Sequence, residues 1–331
     1  MEFEADHGPE GLTPRKIVAT AWAALAFGLL ACMGMGQLGA TYWALDLLNH
    51  FYAQYAVIGL LGAAVGLALR ARLATVGFIA SFGLAAFQLM PLSMEPPLRE
   101  PAPAGGEGTV ELRVLALNVL SENHDYQRVS DWIISEDADV VVLQETHRLW
   151  VDQMEASLGD YTRLETATVR EDNFGLSIYV RRTVEVGPIE VLQDPASVPW
   201  IDVELTHGGR AFHLVAIHTV PPLGQKAARD RCTHLEAMAD RVEATEGPVV
   251  VAGDLNATIW SKDLARVLDG GRLRPSSLGF LPRGSWPSSL WFTGMILIDH
   301  FLVTSSVTVK EHRIGIDVGS DHRGIVADLV L

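Results

Sequence analysis

Val249-Val250-Val251-Ala252-Gly253-Asp254-Leu255-Asn256-Ala257 is the stretch on which the fold of this chain turns. Three β-branched residues and an alanine make a short run without a polar side chain, the composition of a strand buried on both faces. Gly253 lets the backbone leave a sheet sharply. Asp254 and Asn256 then fall on the loop beyond the strand's carboxyl end, where α/β sheets bind their ligands. The plainer alternative is an ordinary strand-to-loop turn in which Asp and Asn bond only local backbone. The rest of the chain argues against it.

Working outward, the same arrangement recurs. Val114 to Leu117 reads as a strand ending at Asn118, Val140 to Leu143 as one ending at Gln144-Glu145-Thr146, and Phe212 to Ile217 as one ending at His218. Ile296 to Val303 reads as a strand carrying Asp299, while Leu176 to Val180, Trp200 to Leu205 and Ile325 to Val330 are further strands. Between them, Tyr126 to Glu136 has the spacing of an amphipathic helix with Val129, Ile133 and Ile134 inward. Lys226 to Glu243 is a longer helix. Its Arg229 and Arg231 interleave with Asp230, Glu236 and Asp240, which reads as a solvated face.

Strand after strand therefore ends at, or carries, a polar residue of catalytic type: Asn118, Glu145, His218, Asp254 with Asn256, and Asp299. The loop Gly319-Ser320-Asp321-His322-Arg323 adds Asp321 and His322. A sheet gathers strand termini, and so would crowd several carboxylates into one place; that is costly unless a cation or a histidine offsets the charge. An oxygen-only set of Glu, Asp and Asn suits a hard cation such as Mg²⁺ or Mn²⁺, whereas zinc would want more nitrogen or sulfur. Two imidazoles beside such a site can meet charge developing on a phosphoryl oxygen. A carboxylate behind one of them would fix its tautomer and keep it protonated. The remaining His124, His147, His207, His213, His234 and His312 read as surface or strand-face residues, and Trp286 and Trp291 as pocket rim, headgroup contacts or ordinary packing.

The chain carries 40 acidic and 25 basic side chains over 331 residues, a formal net charge of −15. Five basic and seven acidic residues fall in the first hundred, so −13 belongs to the remaining 231. Proteins that bind long nucleic acid through its phosphates usually present a basic face, and this balance argues against such a partner. No charge interrupts residues 17–45, 47–69 or 73–94. Each run is long enough for the roughly 20 residues of a spanning helix, and small residues suit helix packing in lipid. The expectation is a membrane anchor over residues 1–93, with three transmembrane helices near 17–38, 50–69 and 73–92. A cleaved signal peptide is the alternative for the first run and a buried helical hairpin for the other two.

Arg15-Lys16 and Arg70-Ala71-Arg72 put the N-terminus and the second loop in the cytoplasm by the positive-inside rule, while the first loop carries Asp46 and His50. Three crossings then place the following residues outside the cytoplasm, as part of a multi-pass protein of the cytoplasmic membrane. Residues 94–109, rich in Pro and Gly, read as a semi-extended tether and the domain boundary before residues 110–331. Cys32 and Cys232 lie in different regions and make no disulfide framework.

Leu117-Asn118-Val119, Gln144-Glu145-Thr146, Gly253-Asp254-Leu255-Asn256, Ile298-Asp299-His300 and Ser320-Asp321-His322 together resemble the ordered motif set of the endonuclease/exonuclease/phosphatase superfamily. That group includes deoxyribonuclease I, abasic-site endonucleases, neutral sphingomyelinases and inositol polyphosphate phosphatases. The anchor and the loop Ile217-His218-Thr219-Val220-Pro221-Pro222 additionally resemble a membrane-anchored bacterial branch that includes VanJ and YafD proteins. The resemblance implies an α/β (α+β), four-layer sandwich of two packed β-sheets flanked by helices. It implies that Glu145 binds the metal with Asn118 and Asp321 close to it, that Asp254 orients or deprotonates the attacking water, and that Asn256, with Asn118, bonds the phosphate. His322 would stabilise the transition state with Asp299 behind it, and His218 would be the second imidazole. Asn173, in Asp172-Asn173-Phe174-Gly175, falls where some members have a polar substrate-facing residue.

The expected activity is Mg²⁺- or Mn²⁺-dependent hydrolysis of a phosphate or pyrophosphate ester. Its substrate would be a phosphorylated small molecule or a lipid-linked phosphate, such as the polyprenyl diphosphate that the branch suggests. A phosphodiesterase or nuclease of the same superfamily is one rival, and a catalytically silent binding module another. The binding module is disfavoured because no motif residue is missing.

Overall fold

The computed structural model of the protein describes residues 13–94, 108–164, 168–193, 197–277, 283–290 and 294–331. Period-two alternation along its strands sorts the apolar side chains beyond residue 110 into two sets. Within β8 (Val249–Asp254), Val250 and Ala252 face an inner core, while Val249 and Val251 pack against helices on the other side. The same division runs along β1 (Glu111–Asn118), β2 (Val140–Gln144), β7 (Arg210–His218) and β10 (Asp299–Thr304). Strands apolar on both faces need cover on both, and a four-layer sandwich supplies it. Burying each such Val or Leu contributes about 1.5–3 kcal/mol.

The other strands are β3 (Tyr161–Arg163), β4 (Leu176–Arg181), β5 (Glu185–Gln193), β6 (Pro199–His207), β9 (Leu273–Pro275), β11 (Thr308–Ile314) and β12 (Ile325–Val330). They form two six-stranded sheets, β11-β12-β1-β2-β4-β3 and β5-β6-β7-β8-β10-β9. Pairing is parallel for β1 with β2 and for β7 with β8, and antiparallel elsewhere. Two parallel pairs, one in each sheet, thus end at the same edge of the sandwich. Helices α5 (Tyr126–Glu136) and α6 (Arg148–Ser157) cover the first sheet, and α7 (Gln225–Ala244) and α8 (Lys262–Asp269) the second.

The sequence reading does not include β3, β5, β9, β11, α6 or α8, and three of its details differ from the structure. Trp132, rather than Ile134, joins Val129 and Ile133 on the buried face of α5, and Ile134 is half exposed. The last strand of the second sheet begins at Asp299; Ile296 instead makes an isolated bridge with Trp286. Arg231 is not on a solvated face but fully buried.

The N-terminal region contains α1 (Pro14–Gly36), a short α2 (Trp43–Asp46) continued by a 3₁₀ turn Leu47–Phe51, then α3 (Tyr52–Ala68) and α4 (Arg72–Met94). Pro14–Gly36, Trp43–Ala68 and Arg72–Met90 are each long and apolar enough to cross a membrane. Glycine lets α3 and α4 approach closely: a Cβ at Gly59 would lie 2.8 Å from the Phe82 nitrogen, and one at Gly62 2.5 Å from the Phe78 ring. Most of the expected tether, residues 95–107, lies outside the described residues. The sandwich is docked directly onto the helices. Gln54 Nε2 donates to the Met295 carbonyl at 2.8 Å, and Trp260 Nε1 to the Gln88 carbonyl at 3.1 Å.

Candidate active site

The inward-facing series of each central strand passes from the core into the site. Val250 and Ala252 are followed on the same face by Asp254, Leu214 and Ala216 by His218, Val114 and Ala116 by Asn118, and Val303 and Phe301 by Asp299. Strand register then sets the neighbours. His218 pairs with Asp254 across β7 and β8, and Asp299 with Asp254 across β10 and β8. Gly253 makes the close fit possible: its φ is +146°, and a Cβ there would fall 1.8 Å from the Ile217 carbonyl oxygen.

Glu145 arrives by a different route. It follows the inward-facing Gln144, so continued alternation would turn it away from the core, but its φ of +61° takes the chain out of the sheet. Its carboxylate is then fixed on both oxygens. Asn118 Nδ2 donates to Oε1 at 2.9 Å, and the Ser121 backbone N–H and hydroxyl donate to Oε2, each at 3.1 Å. Asn118 Oδ1 accepts from the Leu120 N–H at 3.0 Å, which orients the amide so that Nδ2 also reaches Asp254 Oδ2 at 3.2 Å. Asn118 thus bridges the two carboxylates, one from each sheet.

Asp254 is at the centre. Its Oδ1 accepts from the Asn256 N–H at 2.8 Å, and its Oδ2 lies 3.6 Å from His218 Nε2 and 3.7 Å from His322 Nε2. Those separations exceed a hydrogen bond, so both imidazole Nε2 atoms can address a ligand oxygen held beside Asp254. The two histidines differ in what stands behind them. His322 Nδ1 meets Asp299 Oδ2 at 2.9 Å, whereas His218 Nδ1 is buried without a hydrogen-bond partner among the described residues, and Phe174 covers the His218 ring at 5.4 Å.

Charge follows from that difference. Burial opposes a cation at His322, but the Asp299 and Asp254 carboxylates outweigh it and raise its pKa to about 10. Burial, reinforced by the charge on His322, lowers His218 to about 3, so it is neutral near pH 7. Burial and the neighbouring Asp299 push Asp254 up to about 7. Asp299 is held below the ordinary carboxylate range despite its own burial, chiefly by His322. The site therefore holds a charged and a neutral imidazole on either side of a carboxyl poised to exchange a proton near neutral pH.

Asn118, Glu145, Asn173, His218, Asp254, Asn256, Asp321 and His322 line one cleft of about 750 Å³, with Asp299 behind its wall. Asn173 Oδ1 accepts from the Ser121 hydroxyl at 3.0 Å, and Asp321 Oδ2 from Trp286 Nε1 at 3.0 Å. Trp286 thereby rims the cleft, as one reading of the sequence has it, while Trp291 lies outside the described residues. Sequence reasoning missed Ser121, which supports Glu145 and Asn173 together, and a whole wall contributed by Leu47, His50 and Phe51 of the N-terminal region. The only sequence signal for that wall is the pair of polar residues, Asp46 and His50, among apolar runs.

Two places could take a cation. Asp254, Asp299 and His322 bring one potential ligand atom each within 4.8 Å of one another. The ion pair between His322 and Asp299 accounts for that closeness, and an imidazolium has no lone pair to give. Glu145 and Asp321 both line the cleft, each only partly buried, and offer only oxygen, the donor set that a hard divalent ion with retained waters prefers. The residues present fit such an ion there.

Comparison with known proteins agrees with this architecture. The description of the Endonuclease/Exonuclease/phosphatase family matches residues 115–322, and the chain belongs to that family. It is a metal-dependent hydrolase acting on phosphoester bonds. No curated protein matches the chain. Among solved structures, D. rerio TDP2 complexed with a single-strand DNA product is similar at 18% identity and a TM-score of 0.57, over 66% of this chain and 98% of that one. An endonuclease/exonuclease/phosphatase from Bacteroides vulgatus gives 20% identity and a TM-score of 0.56, over 66% and 98%. The Bacteroides thetaiotaomicron mannosyl-6-phosphatase gives 18% and 0.53, over 66% and 100%. At these identities the likeness concerns the fold.

Proposed function

We propose that the protein is a membrane-anchored, Mg²⁺-dependent phosphoesterase that releases phosphate from a phosphate or pyrophosphate ester, lipid-linked, at the outer face of the cytoplasmic membrane. The observation that carries this reading is the shared cleft. Leu47 and Phe51 of the N-terminal helices and Leu223 of the sandwich line the same space as Asp254 and His322. A phosphorylated headgroup fits the polar end, and a cleft of this size has room for an apolar neighbour beside it.

The chain's own groups supply most of the chemistry. Asp254, ionised above about pH 7, orients water and accepts its proton. Asn256, one of whose Nδ2 hydrogens goes to the Thr219 carbonyl at 2.8 Å, has the other for the phosphate; Asn118 acts beside it by fixing Glu145 and Asp254, and Asn173 lies at the rim. His322 donates from Nε2 to the oxygen on which charge accumulates, with Asp299 holding its other nitrogen. Neutral His218 supplies a second hydrogen bond from its Nε2. Glu145, with Asp321 across the cleft, would hold Mg²⁺, which when bound draws charge from a phosphoryl oxygen.

The orientation of the domain has its own support. The turn at Asp46–Phe51 and the end of α4 near Gln88 touch the sandwich, while Arg15, Lys16, Arg70 and Arg72 flank the opposite ends of the same helices. With the basic ends in the cytoplasm, the sandwich lies outside.

The test is phosphate release by the intact protein in liposomes with Mg²⁺, from a prenyl diphosphate, a water-soluble monoester and a diester. The expected order is prenyl diphosphate far above the monoester. Equal rates on those two would sink the lipid-linked choice. Efficient cleavage of plasmid DNA would move the assignment to a diesterase, and cation binding without any turnover would favour a binding module.

A further inference from the structure

The loop that carries Asp254 and Asn256 is held from outside the sandwich. After β8 the backbone turns through Asn256, whose φ of +46° lies in the left-handed region and must be maintained by its surroundings. The Asn256 carbonyl accepts from Arg231 Nη1 at 2.7 Å, while its N–H donates to Asp254 Oδ1. Two residues further on, the Thr258 N–H donates to His50 Nδ1 at 3.1 Å. The loop ends at Ser261, whose hydroxyl donates to Asp46 Oδ2 at 2.7 Å, and the next amide, Lys262 N–H, donates to Asp46 Oδ1 at 2.8 Å.

Ser261 stands at the N-cap of α8 without capping it through its own side chain. Asp46 does so instead, from a helix 215 residues away in sequence. An aspartate there satisfies an orphan amide and complements the positive end of the helix dipole. It also balances a charge. Arg231, its side chain only 2% exposed, divides Nη2 between Asp46 Oδ2 at 3.2 Å and Asp263 Oδ2 at 2.9 Å. A buried guanidinium keeps its geometry only while its partners remain. The path from the membrane helices to the catalytic carboxylate is therefore continuous: Asp46, Arg231, the Asn256 carbonyl, the Asn256 amide, Asp254.

We propose that Asp46 and His50 are positioning residues of the active site, so that the N-terminal helices set the geometry of the catalytic loop as well as anchoring the enzyme. The proposal rests on the hydrolase reading but not on the choice of a lipid substrate. Asp46 touches no reacting atom; it fixes Arg231, and Arg231 fixes the backbone from which Asn256 and Asp254 are presented. A merely structural role would lower stability without coupling Asp46 to Arg231 in kcat.

The experiment uses the full chain in detergent with Mg²⁺ and para-nitrophenyl phosphate, a soluble ester for which membrane attachment is irrelevant. Asp46→Ala is expected to reduce kcat by about tenfold or more, at temperatures where circular dichroism shows the protein folded. Asp46→Asn, which keeps the shape and loses the charge, is the variant to measure if Asp46→Ala does not fold, and kcat should again fall. Gln37→Ala, which removes a contact with the Lys262 side chain without touching the loop, should leave kcat within about twofold.

The decisive comparison is a double-mutant cycle. In an Arg231→Gln background the effect of Asp46→Ala should shrink to about threefold or less, because the side chain through which it reaches the loop is gone. An undiminished Asp46 effect in that background, or an Asp46→Ala or Asp46→Asn protein with wild-type kcat, overturns the proposal. Absence of turnover in the wild-type protein on every phosphoester would instead defeat the hydrolase reading itself.

Discussion

Replacing Asp299 with Asn should turn His322 from a fixed cation into an ordinary buried imidazole. The pair meets at 2.9 Å with both side chains buried, and Asp299 is the largest of the attractions that outweigh burial and hold His322 at about 10. At about 1.4 kcal/mol per pH unit, holding it there rather than at the ordinary value near 6.5 corresponds to about 5 kcal/mol. If Asp299 supplies the larger part, its charge is worth about 3 kcal/mol, or about two units of the His322 pKa and a factor of about 100 in the imidazolium population at alkaline pH. Because the folded-state pKa is raised, the charged pair stabilises the fold fully below about pH 6.5, and that contribution is lost as pH climbs through about 10. In Asp299→Asn both the stability loss and the alkaline limb of kcat should move about two pH units toward neutral, with kcat down a few-fold at about pH 8 and by about 100-fold at about pH 10. Initial rates of phosphate release from mildly acid to strongly alkaline pH, on the intact protein, measure both. A variant whose kcat at about pH 10 stays within about threefold of wild type, with an unmoved alkaline limb, refutes the assignment of His322 as the cation and Asp299 as its support.

Glu145→Ala should abolish turnover and calorimetric binding of Mg²⁺ while leaving the circular dichroism melt unchanged or raised, since removing one carboxylate from a crowded site relieves repulsion. Asp254→Ala should be equally inactive yet keep Mg²⁺ binding, and near-normal activity in that folded variant would remove Asp254 from the mechanism. Gly253→Ala, which drives a Cβ to 1.8 Å from the Ile217 carbonyl, should lower stability by about 3 kcal/mol or more, seen as a fall in Tm of about 10 °C. A reporter fused after Leu331 should be active as alkaline phosphatase and dark as green fluorescent protein; the reverse pattern would put the sandwich in the cytoplasm.

The strand-borne residues were legible in the sequence because alternation and burial act together. Once Val250 and Ala252 are inward, Asp254 must be inward too, and the same count along β1, β7 and β10 selects Asn118, His218 and Asp299. The site begins where each inward series leaves the hydrophobic core. Glu145 does not obey the count, since only its positive φ brings it to the cleft; its standing at the end of an apolar strand is what singles it out in the sequence. The short β3 and β9, three residues each, carry too little pattern to be seen.

Arg231 illustrates a different limit. Interleaved charges on α7 look like a wet surface, and the reason this one cation is buried lies partly in Asp46, 185 residues earlier. Local pattern cannot express a partner at that distance. The reciprocal signal was present, because Asp46 and His50 are polar residues at the edge of a run otherwise suited to lipid, and such residues seldom stand there without partners.

Fold alone does not select a substrate here, since structures as different in use as a TDP2 complexed with single-strand DNA and a mannosyl-6-phosphatase share it. Charge and walls must do so. The net −13 on the residues after the first hundred works against the approach of a long polyanion. Inside, the balance reverses over a few ångströms: His322 is cationic, His218 is neutral, Asp254 is half-protonated near pH 7, and Asn118 and Asn256 add amide dipoles. An isolated phosphoryl group can use that interior without covering the acidic exterior, whereas a duplex cannot. The apolar wall at Leu47, Phe51 and Leu223 stands where the sandwich rests on the helices, and it is the reason the proposed substrate carries something apolar beside its phosphoryl group.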